Sequence, residues 1–484
     1  MKTLSPHQPA LLALLLMALL LSACQPAPLS GTAPAPSKPS ATPRPAAALP
    51  TLPPAPSPTP TPPPHLQVDP ESLRGLQITF LHPFYADSAA ALAALTDEFN
   101  QTNVWGLHVK LQAPGSAGLM NKAVADALQD GSLPQILAAE SAQLAAWEAA
   151  QPTFADLNDY MQDPNWGLTA EERASFFPNF WEADSAAEGT RQLALPALRT
   201  ARLMVYNQTW AEELGFAAPP TDEKELELQL CAALQANLAD TDRANDGTGG
   251  WIVDSDPYTI LTFLAAFGED PAQVGDRTYT FNTPANRDAF AYLRGLFDRT
   301  CAWNSRQPEP QEYFSTRRTL LYTAALQDLP RQERLQTRLN PGDTWTVLPF
   351  PAVSGDPLVI ASGHSYAATL AKPEEQLGAW LFIRWLSLPR HQARLAQTAA
   401  AWPVSQAALD LMQDYAASHP QWAAAAQWIP QARPAPRSGD WARTQFVLQD
   451  AAWQLFQANL TAEQIPDLLT QLDDTIPDVL QPTP

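Results

Sequence analysis

The amino-acid sequence predicts an α/β chain whose folded part forms two lobes, each a mainly parallel sheet flanked by helices. Three observations predict it. Apolar strand patterns alternate with helical ones in the order β-α-β-α-β over residues 76–137. Near the middle, residues 191–220 hold two strand-like runs that pass almost straight into each other, as where a chain leaves one lobe and enters another. A further strand-and-helix succession follows, in a chain whose 484 residues and 45% apolar content suffice for two or three domains. The two central runs also fit a pair of ordinary strands within one α/β domain.

Taken in order, Leu76, Ile78 and Phe80 alternate with polar neighbours as a first strand, which runs into the loop 82–87. Ser88 can cap a helix with Leu92, Leu95 and Phe99 on one face. Leu107, Val109 and Leu111 make a second strand, Gly115 to Gly118 opens a helix that Asp130-Gly131 ends, and residues 133–137 make a third strand. In open parallel sheets ligands bind beyond the carboxyl ends of the strands. That rule selects the loops carrying Tyr85, Ser116 and Glu140. Residues 153–188 read as a loop-rich connection. Leu193 to Pro196 and Arg202 to Tyr206 are the central strands, and the helix begun at Asn207 stops at Gly215, a C-cap glycine. Beyond lie a helix over 223–237, a strand at Gly250 to Val253, a helix from Tyr258 to Phe267, and a helix carrying Phe290, Leu293 and Phe297 on one face. Residues 358–361 are apolar and 362–366 read as a polar turn. A helix starting at Lys372-Pro373 then carries Leu377, Trp380, Leu381 and Trp385 towards Trp402-Pro403-Val404.

The N-terminus reads as an export signal. The apolar run 10–21 is too short to span a bilayer comfortably and ends in Leu21-Ser22-Ala23-Cys24, which resembles the bacterial lipobox. In such proteins the cysteine is acylated and becomes the mature N-terminus; an unlipidated signal peptide is the alternative. Residues 25–74 are rich in Pro, Ala, Ser and Thr and read as an extended tether with too little apolar surface for a core. The net charge of -21 disfavours nucleic acid and anionic membrane surfaces as partners.

The two cysteines after Cys24, Cys231 and Cys301, permit one disulfide in an exported protein. No metal or cofactor site is expected. The seven histidines are scattered and form no i, i+4 pair, and the Asp240 to Gly247 stretch departs from the calcium-loop pattern. Gly363-His364-Ser365-Tyr366-Ala367 nearly spells the nucleophile elbow of serine hydrolases. The elbow needs a helix directly after the serine, whereas the residues up to Lys372-Pro373 read as a strand. A loop bringing polar groups to a cleft explains the same residues.

In order and spacing the chain resembles the family 1 extracellular solute-binding proteins, receptor subunits of ABC importers. The resemblance rests on Leu195-Pro196, Val205-Tyr206-Asn207, Leu214-Gly215-Phe216 and Pro219-Pro220-Thr221, and on the run from Leu358 to Val404. It covers about 76–470. The tryptophan expected after Thr221 is absent, and Pro134-Gln135 replaces the usual Pro-Asp. The family implies a type II periplasmic-binding-protein-like fold with three hinge crossings, near 196–199, 359–362 and 400–403. Lobe 1 would comprise 75–198 plus 359–400, and lobe 2 would comprise 199–358 plus 401–478.

It further implies a monomeric receptor, lipid-anchored at Cys24 to the outer face of the cytoplasmic membrane. Such a receptor binds a small solute, a sugar or oligosaccharide by preference, and delivers it to a permease. Arg199, Glu140 and His364 are the polar candidates with Ser116; Tyr85, Trp251, Tyr258, Tyr322 and Trp441 are the stacking ones. Tyr258 and Trp441 match positions where aromatic residues line the sugar site of maltodextrin receptors. Two other readings remain open, a lipid-anchored hydrolase using Ser365 and a surface lipoprotein that transports nothing.

Overall fold

A computed structural model of the protein describes residues 66–186, 189–273, 279–306 and 309–481. Cys24 and the Pro-rich stretch as far as residue 65 lie outside them.

Ten strands join in one hydrogen-bonded sheet. They are β1 (Gln77–Leu81), β2 (His108–Gln112), β3 (Ile136–Glu140), β4 (Leu195–Asn207), β5 (Gly249–Ile252), β6 (Ala302–Trp303), β7 (Thr319–Ala325), β8 (Trp345–Leu348), β9 (Ile360–Ala368) and β10 (Arg433–Pro434). The order is β2-β1-β3-β9-β4-β7-β5-β6, with β10 beside β9 and β8 beside β4. The sheet is mixed and flanked by helices, with parallel pairs in both of its halves. Pairs β1–β2, β1–β3, β5–β6, β5–β7 and β9–β10 are parallel, but β9 runs antiparallel to β3 and β4, and β4 antiparallel to β7 and β8. The antiparallel pairs gather at the crossing, where β4 and β9 traverse the sheet in opposite senses.

The two central runs of the sequence are one continuous strand. β4 is 13 residues long; as far as Ala201 it pairs with β9, and from Arg202 it pairs with β7 and β8. The predicted polar turn at 362–366 is likewise strand, because Ser362, Gly363 and His364 pair with Thr200, Arg199 and Leu198. Gly363 makes that possible. Its φ is +140°, and a Cβ there would lie 2.3 Å from the Leu198 carbonyl oxygen.

Alternation along the strands feeds three apolar cores. Ile78, Phe80, Ile136, Ala138, Leu203 and Val205 belong to one that extends along both halves of the sheet. Leu81, Leu137 and Ala139 face a smaller core on the other side of the β1–β3 half. Met204 and Tyr206 face a core under the β5–β7 half, with Trp251, Phe263 and Trp441. The helix Glu223–Ala239 is joined to the segment before β6 by the Cys231–Cys301 disulfide, with Cα atoms 4.7 Å apart. Among the described residues no helix is long and apolar enough to cross a membrane, and no group of three or more His, Cys, Asp or Glu could hold a metal ion.

Candidate functional site

Strand register gathers three of the polar candidates. Glu140 ends β3 opposite His364 of β9, and Gly363 next to it pairs with Arg199 of β4. Tyr258 arrives from the other half of the sheet, in the first turn of the helix Pro257–Phe267. Asp256 caps that turn, accepting from the Tyr258 N–H at 2.9 Å. Glu140, Arg199 and Tyr258 thus border one narrow chamber with Ser141, Ser362 and Gly363.

The Tyr258 hydroxyl donates to Glu140 Oε2 at 2.7 Å and accepts from Trp441 Nε1 at 3.4 Å. Burial pushes the Glu140 carboxyl above the ordinary carboxylate range, against the pull of the Tyr258 hydrogen bond. Burial, reinforced by the Glu140 charge, pushes the Tyr258 hydroxyl well up as well. The pair is a bridge between elements from the two halves of the sheet. A solute hydroxyl able to donate to Glu140 and accept from Tyr258 would replace it without leaving either group unpaired.

Arg199 is 3% exposed, and both of its terminal nitrogens are engaged. Its Nη1 donates to the carbonyls of His364 (2.7 Å) and Leu198 (3.1 Å), and its Nη2 to Asp184 Oδ2 (3.0 Å) and Ser365 Oγ (3.0 Å). Ser141 and Ser365 donate to Asp184 at 2.6 Å and 2.7 Å. Burial pushes the Asp184 carboxyl up, opposed by the Arg199 charge and the two hydroxyls. Arg199 therefore ties β4 to β9 and to the segment after the helix Pro178–Glu182. Ser365 is buried inside this network, in mid-strand rather than at an elbow, and its oxygen meets Asp184 and Arg199, not a histidine.

Three residues later on the opposite face of β4 sits a second network. Arg202 is ion-paired with Asp254 and lies 3.7 Å from Asp256 Oδ2, while the Thr259 and Thr323 hydroxyls donate to Asp254 at 2.8 Å and 2.6 Å. Burial alone would raise the Asp254 carboxyl; Arg202 and these hydrogen bonds outweigh it and hold it low. Burial raises its neighbours Asp256 and Asp328, against the pull of Arg202.

Glu140 also borders a second, roomier outer chamber with His364. One wall carries Met120 and Asn121 of the helix Ala117–Asp130 and Gln143 of the helix Ser141–Ala150. The other carries Ala442, Gln445 and Phe446 of the helix Trp441–Leu455. Burial and the Arg199 charge push His364 down to about 4, so the imidazole is neutral at pH 7. At the edge of this region the two walls touch through backbone: a Cβ on Gly439 would stand 2.8 Å from the Cα of Ala146.

The other candidates lie elsewhere. Trp251 is 1% exposed among Phe263 and Phe456, and Tyr322 is equally buried, its hydroxyl donating to Gln332; both fill cores because β5 and β7 are covered on both faces. The Trp441 ring is buried and reaches the chamber through its N–H alone. Ser116 caps the helix Ala117–Asp130, accepting from the Leu119 N–H at 3.2 Å, and Tyr85 is 71% exposed ahead of the helix Ala86–Thr102. Sequence reasoning missed Asp184, in a connection without periodicity. It also missed Asn121, Gln143, Gln445 and Phe446, whose one signal is an exposed aromatic on an otherwise amphipathic helix.

A model of the family described as bacterial extracellular solute-binding protein matches residues 94–431. Solved structures share the fold. The sugar-binding protein MalE from Xanthomonas citri aligns with TM-score 0.68 at 18% identity, covering 83% of this chain and 98% of that one. UgpB from Mycobacterium tuberculosis, in complex with glycerophosphocholine, aligns with TM-score 0.67 at 18% identity over 84% and 98%. The cyclic alpha-maltosyl-1,6-maltose binding protein from Arthrobacter globiformis gives 0.65 at 15% identity over 83% and 98%. None of the curated proteins compared with the chain matches it.

Proposed function

The chain belongs to the bacterial extracellular solute-binding proteins, and from that premise we propose that it closes two lobes on a sugar or oligosaccharide and delivers it to an ABC permease. One observation carries the ligand class: the bridge between Glu140 and Tyr258 at 2.7 Å, a donor–acceptor pair between which a sugar hydroxyl can insert, accepting from one and donating to the other. That two of the three structures above are named for sugars supports the same class. Glu140 and Tyr258 are the residues we assign to the solute, with His364 beside them. Arg199 acts through the strands it ties together.

Lobe 1 is assigned to 75–198 plus 359–400 and lobe 2 to 199–358 plus 401–478. The change of partner along β4 between Ala201 and Arg202 supports the division. β4, β9 and the Trp402 backbone, which exchanges hydrogen bonds with Arg199 at 2.7 and 3.1 Å, would form the hinge. Bound solute would stabilise the closed state by contacts that the open state lacks. Export of the chain accords with its family. Acylation at Cys24, the tether 25–74 and the permease as partner complete the proposal.

A thermal-shift screen tests it. Mono- and oligosaccharides, amino acids, polyamines and glycerophosphodiesters are the solutes to compare. Ligand at 100 times its Kd adds about 2.7 kcal/mol to the native state, an increment large enough to move the melting curve. A shift confined to saccharides is expected. A shift given by another class, with none by saccharides, would replace the sugar reading.

A further inference from the structure

The two chambers that meet at Glu140 differ in what they leave unused. In the inner one Glu140, Arg199, Tyr258 and Ser141 all have hydrogen-bond partners within the chain. The outer one is lined by the half-buried amides of Asn121, Gln143 and Gln445, and among the described residues none of the three has a partner. Each amide is a donor and an acceptor at once, the complement of a hydroxyl, which is also both. Glu140, already bonded to Tyr258, is the charged residue on the lining, and the imidazole of His364 beside it is neutral. An anionic group would find no counter-charge on this lining. Beside the amides, Phe446 is 61% exposed, a flat apolar face at the cleft with no aromatic ring stacked on it among the described residues.

We propose that the solute extends past Glu140 and places a second uncharged, hydroxyl-bearing ring in the outer chamber, held by Asn121, Gln143 and Gln445 and stacked on Phe446. The inference rests on the carbohydrate reading above and narrows it to saccharides of two or more units. The amides come from both walls, so the second ring also links them when the cleft shuts.

Calorimetric titration of the full chain with mono-, di- and trisaccharides of glucose, galactose and xylose units tests it, alongside Phe446→Ala and Gln445→Ala. Both positions lie on the outer side of their helix, and unchanged melting without ligand will confirm that each variant is folded. Di- and trisaccharide affinity is expected to fall about tenfold in each variant, the equivalent of one lost contact, and monosaccharide affinity less than twofold. Equal losses at every length, no loss at any length, or a wild type that binds monosaccharides best would each overturn the second ring and leave the sugar reading intact. Binding of another solute class with no saccharide bound would overturn both.

Discussion

Arg199 and Arg202 lie three residues apart on one strand and each faces an aspartate, yet the two pairs are built differently. Arg199 meets one carboxylate, Asp184, with every oxygen of that carboxylate occupied by Arg199, Ser141 or Ser365. Arg202 meets Asp254 and Asp256, with the charge of Asp328 also acting on it, and remains partly exposed. The first is a closed one-to-one account in the interior. The second is an excess of negative charge at the edge of it. A buried ion pair is costly to break and adds little when intact, so what an arginine is worth depends on who else is there when its partner leaves.

Removing one acid from each network is the strongest way to break the comparison. Asp184→Ala strands a buried guanidinium and is expected to cost about 3–5 kcal/mol. Asp254→Ala leaves Arg202 with Asp256 and is expected to cost about 1–2 kcal/mol. Urea unfolding of both variants checks this, and equal losses would mean that the two networks do the same work.

A smaller effect is expected from Gly363→Ala, which touches only the Arg199 side. The added methyl meets the Leu198 carbonyl at a backbone angle that favours glycine, and should cost about 2 kcal/mol without altering the Arg202 network. A loss below about 0.5 kcal/mol in the same urea assay would show that β9 can shift away from β4 freely.

The last effect is in pH, and it is read as a slope. Burial pushes His82 and His364 down to about 4, below the ordinary histidine value. Between that value and about 6.5 the unfolded chain binds the extra protons, so stability is present above about 6.5 and falls as pH drops, by up to about 1.4 kcal/mol per pH unit for each histidine. The double variant His82→Gln, His364→Asn should show a flatter profile than the wild type between pH 6.5 and 4. Parallel profiles would mean that neither ring is held neutral by the fold.

Much of the fold was legible because periodicity survives where one face of an element is covered. β1, β2 and the helix bearing Leu92, Leu95 and Phe99 stand where their apolar spacing puts them. The rule that ligands gather at strand ends led to Glu140, and the family resemblance led to Tyr258, which the structure brings together. It failed for Trp251 and Tyr322, since strands buried on both faces carry no alternation to tell a cleft-facing ring from a core one. The antiparallel pairing of β9 was hidden for a related reason: Ser362, Gly363 and His364 are polar or small because of what they meet at the crossing, and in sequence that looks like a turn. The free amides of the outer chamber resemble any solvated helix face until the opposite wall is in place.

The contact between Gly439 and Ala146 has a consequence of its own. Side chains can rotate out of each other's way, but two main chains in contact have no rotamers to spend. On the proposed closure, the place where they meet would act as a stop that sets how near the two walls can come, whatever lies between them. A Gly439→Ala chain should halt about a methyl's breadth earlier, and X-ray scattering would register a smaller ligand-induced contraction. Selection among solutes would then have a part that no cleft residue encodes: a gauge of thickness, cut in backbone, that a molecule passes or fails before its hydroxyls are read.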